Sequence, residues 1–515
     1  MNRFLLFALF LSLFFGFFRL GSTRLFDVDE AVFAQATKEM VHSGDWITPT
    51  YNGENRYDKP ILFYWMMAVS YKLFGISEFS ARVPSVVSAV FLCIALFFFV
   101  RHFRDDKGAF WSVIVFVFSL YFFVYARAAV TDMALTLFIS LSLFSFFRFI
   151  TEEGAGAARR DYFIYAFYAF SALAFLTKGL VGILFPFGIA VSFLLIVKDA
   201  VSIKKLFNLK GLMVFFLIAL PWYSAEFILN GKEFFEQFII KHHFKRYSGV
   251  ISGHKGPLYY YLPVILIGLY PWIFYLPSAV RKTLRDRDPL RFFALVWFVF
   301  IFLFFTLSTT KLPNYILPAV PAAVILLSSA ISEGHRWNRS AELGLAIVSL
   351  LGGGALFLAP RYVTRPGIPD LPGLFPLAGI FLCLGLLSLR GFLSGRQIRA
   401  GLPVLMAVFF VTVSVGILPA ATDYLQGALY RYSLYAKHAL SEDKPLVAYR
   451  MNNPSILFYS DHRLVNIRNP EELSSFLLNG GRSVAIAKTQ DTSTLKEAGF
   501  VLLENNGRYA LFERK

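Results

Sequence analysis

Long apolar runs separated by short polar clusters recur near residues 4–20, 82–100, 109–125, 133–150, 162–176, 180–197, 212–229, 258–279, 292–308, 314–332, 342–359, 374–389 and 402–420. Crossing a hydrocarbon core takes roughly 20 apolar residues of helix, and a helix satisfies its own backbone groups where no water can. The pattern therefore predicts an α-helical polytopic membrane protein with about thirteen transmembrane helices. Two regions depart from it. Residues 60–74 are apolar but too short and polar-flanked to span, and Tyr64 and Trp65 suit a helix lying on the membrane surface. From about residue 437, short β-rich runs at 446–449, 456–459, 483–487, 501–503 and 509–512 alternate with helical segments. Pro470 followed by Glu471 and Glu472 marks a helix start among them. The expected division is a transmembrane region over 1–420, with extramembrane segments at 21–81 and 230–257, and a small α/β domain over 421–515.

Composition strengthens this picture. Apolar residues make up 57% of the chain and charged residues 16%, against roughly 25% charged in a soluble globular protein. A water-soluble enzyme is excluded on that ground. The net charge of +17 would suit a nucleic-acid binder, but the basic residues gather in alternate inter-helix loops. Arg101, Arg104 and Lys107, then Lys198, Lys204 and Lys205, then Arg281, Lys282, Arg285 and Arg287 are examples. Cytoplasmic loops retain positive charge. This orientation predicts a cytoplasmic N-terminus, a C-terminal domain on the outer side, and, in a bacterium, residence in the inner membrane facing the periplasm. Arg3 precedes the first run as in a signal peptide, yet no small-residue cleavage site follows Phe17, Phe18 and Arg19, so this helix is expected to be retained. Cys93 and Cys383 both lie in apolar stretches, which leaves no disulfide framework or cysteine metal site. No glycine-rich dinucleotide fingerprint or phosphate-binding loop occurs, which disfavours a nucleotide donor.

Ionisable residues near membrane depth mark functional sites. Asp27, Asp29 and Glu30 follow the first helix; Asp58 and Lys59 share the same segment; Asp132, Lys178, Lys311 and Tyr315 stand at the ends of later runs. All are expected at the outer face. For Asp27 and Asp29 a second reading stands beside the functional one: they cap the next helix. Segment 230–257 adds His243, Arg246 and His254. Neutral imidazole with a carboxylate can hold a divalent cation; equally, these histidines can simply hydrogen-bond at a polar interface.

Several blocks then fall into a familiar order. Asp29-Glu30 before a short helix, Ser43-Gly-Asp-Trp46, Asn52-Gly53, Asp58-Lys-Pro60, Tyr64-Trp65, Phe74-Gly75 and Ala81-Arg82 with Pro84 resemble the first outer loop of the aminoarabinose transferase family. That family belongs to the protein O-mannosyltransferase-like membrane glycosyltransferases of the GT-C fold. Thr131-Asp132, Leu176-Thr-Lys-Gly179, His243 to Tyr247 with His254, and Lys311 to Pro318 are similar to later blocks in the same order. The resemblance covers residues 1 to about 330.

It implies a polyprenyl (undecaprenyl) phosphate sugar donor, a lipid or glycolipid acceptor such as lipid A or lipopolysaccharide, and an active site between the outer loops and the bilayer. Asp29 matches the loop carboxylate near the reacting centre, with Glu30 beside it and Asp132 in reserve. Lys59, Lys178 and Tyr315 match residues near the lipid phosphate, and Arg246 and Lys311 join them as candidate cations. Asp58 matches a carboxylate linked to metal binding; with His243 and His254 it would hold Zn, Mg or Mn. Val32 and Phe33 stand where family members usually carry Arg and Tyr, and Asp58 replaces Glu, so aminoarabinose itself is not implied. The expected chemistry is transfer with inversion, Asp29 serving as base and the cations stabilising the departing phosphate. A protein O-mannosyltransferase-like enzyme is the alternative with the same donor. A lipid-linked sugar flippase is the alternative without chemistry; it predicts charges near the bilayer midplane in repeated halves, whereas here they gather at helix ends.

Overall fold

The computed structural model of the protein describes residues 3–152, 157–238, 256–333, 339–363, 373–395, 401–441, 444–478 and 482–514. Each of the thirteen apolar runs is helical over most of its length. Eight of the helices are long and apolar enough to cross a membrane among the described residues, or nine if the pair Leu258–Gly268 and Trp272–Asp286, bent by 110°, is one span. The remaining four runs differ for local reasons. Arg3–Phe17 and Val181–Ile196 are apolar but short. Run 109–125 divides into Asp106–Val117 and Leu120–Tyr125 because the Ser119 hydroxyl accepts from the Phe122 amide at 3.2 Å and starts a new helix. Ala157–Lys178 opens on Arg159, Arg160 and Asp161, which shortens its apolar length.

Phenylalanine supplies much of the packing between helices. Phe99 stacks on Phe144 at 4.0 Å and Phe147 on Phe293 at 4.8 Å, tying helices Glu78–Phe103, Asp132–Thr151 and Pro289–Leu307 into one core. Helix Ala157–Lys178 packs along Asp132–Thr151, where Ser142 and Ser171 hydroxyls meet at 2.9 Å. Small hydroxyl residues at such seams let helix backbones approach closely.

The segment after the first helix folds as helix Asp29–Ser43, a two-stranded hairpin (Thr50–Tyr51 with Glu54–Asn55) and helix Leu62–Phe74. Helix Leu62–Phe74 is two-faced: Phe63, Tyr64, Met67, Ala68 and Tyr71 are buried, while Val69, Leu73 and Phe74 are exposed. Its inward aromatic rings are core residues.

At the other end, helix Leu418–Ala439 leaves the apolar region and continues into the tail, so the expected division at residue 420 falls inside it. A five-stranded sheet follows, in the spatial order Leu464–Ile467, Leu446–Tyr449, Ser483–Lys488, Tyr509–Arg514, Val501–Asn505; the first three are parallel and the last two antiparallel. Leu446, Ala448, Val484 and Ile486 face one core with Leu429 and Tyr432, whereas Val447, Tyr449, Ala485 and Ala487 face another with Leu473 and Leu495. Burial on both faces explains why these strands read as continuous apolar runs. One expected strand is corrected. Residues 456–459 lie in helix Pro454–Ser460, because Pro454 at its first position fixes a helical φ and the segment is buried between helices Leu418–Ala439 and Asp29–Ser43. The strand Leu464–Ile467 takes its place.

Candidate active site

Glu30 organises the segment that follows the first helix. In the first turn of its helix it is 5% exposed, and it is gripped by Arg82, 2% exposed, through Nε to Oε1 and Nη2 to Oε2, both at 3.0 Å. The Phe26 amide donates to Oε2 at 2.9 Å and the Ala129 amide to Oε1 at 2.7 Å. Arg82 Nη1 also donates to the carbonyls of Leu20 and Thr23. Burial alone would raise the Glu30 carboxyl, but the Arg82 charge and these donors outweigh it and hold the group below the usual carboxylate range. With every lone pair occupied, Glu30 is placed to position other groups. Its neighbour Asp29 is exposed at the helix start.

The Ala129 contact links this loop to Asp132, three residues further on, at the first turn of helix Asp132–Thr151. Asp132 is 4% exposed, and its Oδ1 accepts from Lys178 Nζ at 2.6 Å and from Asn314 Nδ2 at 3.0 Å. The Lys178 ammonium lies 5.5 Å from the centre of the Tyr315 ring. Three separate segments thus converge on one carboxylate. Gly179 makes this possible: φ of +74° lets its amide close on the Phe175 carbonyl at 2.8 Å, ending the helix directly after Lys178. Gly182 then lies so close to the same helix that a Cβ would sit 2.3 Å from the Ala174 carbonyl carbon. Pro313 begins the tight helix Pro313–Ala319 that presents Asn314 and Tyr315.

Lys311 is differently engaged. It is 4% exposed, and its ammonium donates to the carbonyls of Phe305, Thr306 and Ser308 at 3.2, 2.6 and 2.8 Å. Three donors meet three helix-end acceptors, so contact with a lipid phosphate would require breaking a C-terminal cap. Asp58 pairs with Arg56 at 2.8 Å, Arg56 Nε donates to the Tyr64 hydroxyl at 3.1 Å, and Lys59 Nζ donates to the Asp58 carbonyl at 3.0 Å. Helix Leu62–Phe74, which follows Lys59, packs against helix Ala157–Lys178. His243, Arg246 and His254 lie outside the described residues. Among the described residues no three His, Cys, Asp or Glu side chains gather as a metal site.

Asp27 caps a helix, though not its own. Its Oδ1 accepts from the Ser455 amide at 2.8 Å and its Oδ2 from Ser455 Oγ at 2.7 Å and Asn453 Nδ2 at 2.9 Å. Burial pushes its carboxyl above the ordinary aspartate value against those bonds. Sequence reasoning missed Arg82, Asn314 and Asn453 as partners. Arg82 carried a signal, being a cation at the end of an apolar run, and Asn314 lay within the Lys311–Pro318 block; Asn453 carried none.

These features define a polytopic membrane protein with carboxylate–lysine chemistry at one rim. Structural comparison gives the fold class. ArnT from Cupriavidus metallidurans, solved bound to undecaprenyl phosphate, aligns with TM-score 0.86 and 24% identity over 99% of this chain and 97% of that one. The archaeal oligosaccharyltransferase AglB from Archaeoglobus fulgidus aligns with TM-score 0.54 and 11% identity over 99% of this chain and 73% of that one. The family model for dolichyl-phosphate-mannose-protein mannosyltransferase matches residues 58–224. An undecaprenyl phosphate-alpha-4-amino-4-deoxy-L-arabinose arabinosyl transferase of Shewanella sediminis is 31% identical over 330 residues, 64% of this chain and 60% of that protein. An uncharacterized protein of Aquifex aeolicus is 33% identical over 325 residues, 62% of this chain and 72% of that protein. The chain is thus similar to the undecaprenyl phosphate aminoarabinose transferases and, over residues 58–224, to the protein mannosyltransferase model. The chain spans about three fifths of the length of the Shewanella protein and of two further curated relatives that it matches.

Proposed function

We propose that the protein is an integral membrane glycosyltransferase that moves a monosaccharide from undecaprenyl phosphate to a cell-envelope acceptor, with lipid A as the favoured acceptor, at the periplasmic rim of the inner membrane. The observation that carries this reading is the Asp132, Lys178 and Asn314 cluster, joined through Glu30 and Ala129 to the loop bearing exposed Asp29. The names of the relatives support the lipid-phosphate donor. On this reading all thirteen helical runs cross or enter the bilayer, helix Leu62–Phe74 lies at its surface, and the tail sheet is a periplasmic domain.

In the proposed reaction the acceptor oxygen attacks the anomeric carbon from the face opposite the phosphate. The new C–O bond forms as the bond from that carbon to the phosphate oxygen breaks. The electron pair leaves with undecaprenyl phosphate, and the acceptor proton passes to Asp29. Lys178, oriented by Asp132, and Lys59 stabilise the charge that builds on the phosphate. Arg246, outside the described residues, is a further candidate cation by resemblance alone. Tyr315 flanks the Lys178 ammonium. No step needs Lys311. A divalent cation at Asp58, His243 and His254 stays a proposal: Asp58, already paired with Arg56, supplies one ligand, and no step above passes through a metal. Metal content of the purified protein before and after Asp58→Asn measures it. The test of the function is incubation with a labelled undecaprenyl-phosphate sugar and either lipid A or a peptide. Label reaching lipid A supports the proposal; label reaching only peptide supports the mannosyltransferase-like alternative.

A further inference from the structure

The tail domain grips the segment that presents Asp29 at several points, mainly through its helix Pro454–Ser460. Helix Asp29–Ser43 has no cap of its own, since Val28 at the capping position gives no side-chain hydrogen bond. An uncapped first turn must be fixed by its surroundings. Here Arg82 and the Ala129 amide hold Glu30 within that turn, and the tail holds the residues just before it. The Leu25 amide donates to the Tyr459 hydroxyl at 3.0 Å, and that hydroxyl donates to Glu78 Oε1 at 3.0 Å. Glu78 opens the helix that carries Arg82. Asp27 is held by Asn453 and Ser455 through the three bonds described above. Further along helix Asp29–Ser43, Lys38 pairs with Asp461 and donates to the Phe458 carbonyl at 2.9 Å.

A second grip lies on the hairpin. Asn52 Nδ2 donates to the Leu464 carbonyl at 2.8 Å while the Leu464 amide donates to Asn52 Oδ1 at 2.9 Å. The amide thus pairs with an edge strand of the tail sheet as another strand would. On the membrane side, Glu30 receives the Phe26 amide. Leu25, Phe26 and Asp27 are therefore each pinned, two of them by the tail.

We infer that the tail domain is a positioning element for transfer: Asn453, Ser455 and Tyr459, in and just before its helix Pro454–Ser460, fix the segment 25–30 so that the Asp29 carboxylate meets the acceptor in attacking geometry. The inference rests on the proposed role of Asp29. Misplacing a reacting group by about 1 Å can lower the rate by about a hundredfold without touching the chemistry, so the predicted signature is a loss of kcat.

The experiment compares the full-length protein with Asn453→Ala/Ser455→Ala, Ser455→Thr, Tyr459→Phe and Asp29→Asn, in the labelled-donor assay and in thermal unfolding. The double variant and Tyr459→Phe are each expected to lose about tenfold to a hundredfold in kcat per folded molecule, with KM for the donor unchanged and only a modest fall in the unfolding midpoint. Ser455→Thr, which keeps the hydroxyl, is expected to retain most of the rate. If both variants keep full kcat while Asp29→Asn abolishes transfer, the positioning role is overturned and the catalytic one stands. A lowered unfolding midpoint with unchanged kcat per folded molecule would likewise overturn it. If Asp29→Asn itself transfers at full rate, the underlying catalytic reading fails instead.

Discussion

Lys178 and Asp132, 46 residues apart in sequence, meet Nζ to Oδ1 at 2.6 Å, with Asn314 on the same oxygen. The lysine side chain is 15% exposed and the aspartate 6%. An ammonium has three protons, and one is spent on Asp132. The carboxylate fixes the direction of the others without removing the charge from the site.

Lys178→Met should therefore lower kcat by about 10²–10³, the range seen when one charge-stabilising donor is removed. Asp132→Asn should lower it less, because Lys178 stays charged but loses its orientation. Single-turnover kinetics with saturating donor measures both. Equal losses in the two variants would make Asp132 a direct participant.

Glu30 and Arg82 predict a stability effect. Replacing Glu30 by Gln leaves a guanidinium that is 2% exposed without its charge partner; breaking a buried pair from one side typically costs about 3–5 kcal/mol. The unfolding midpoint in detergent should fall by several degrees. Arg82→Met should fall similarly, and the double variant by less than the sum of the two.

The same pair sets an acid limit. The Glu30 carboxyl is depressed in the folded protein, so its contribution is complete above the ordinary glutamate value of about 4.3. It is lost as pH falls through the lower folded value. The difference in midpoint between wild type and Glu30→Gln should be constant near neutrality and shrink on acidification below about pH 4. A difference that grew in acid would reverse the assigned direction.

Lys311 separates lysines that the sequence treats alike. Committed to three carbonyls at a helix end, it should act on stability. Lys311→Met is expected to lower the unfolding midpoint while donor KM and kcat per folded molecule stay as in wild type, whereas Lys178→Met is expected to lose kcat. A raised donor KM in Lys311→Met at unchanged stability would return Lys311 to the phosphate site.

Much of the fold was legible because a bilayer imposes a length on every apolar run, and all thirteen runs are helical. The breaks were less so. The Ser119 cap that splits 109–125 and the 110° bend at 269–271, where Pro271 stands, depend on single residues that a hydropathy window averages away. In the tail, 456–459 reads as a strand by residue type, and only Asn453-Pro454 ahead of it signals a helix. At the site, the sequence singled out Asp29, Glu30, Asp132 and Lys178 but could not pair them. Glu30 with Arg82 is a contact across 52 residues and Asp27 with Ser455 one across 428. Asp27 was read as the cap of the helix that follows it; it caps one from the far end of the chain, which no local pattern reveals.

Asp29 tests the whole reading most directly. Wild type and Asp29→Asn, purified in lipid nanodiscs and matched for unfolding midpoint and donor binding, are given labelled undecaprenyl-phosphate sugar and lipid A. Loss of a general base predicts a fall in transfer of about 10²–10⁴ with donor still bound. Transfer at close to the wild-type rate in Asp29→Asn would contradict the assignment.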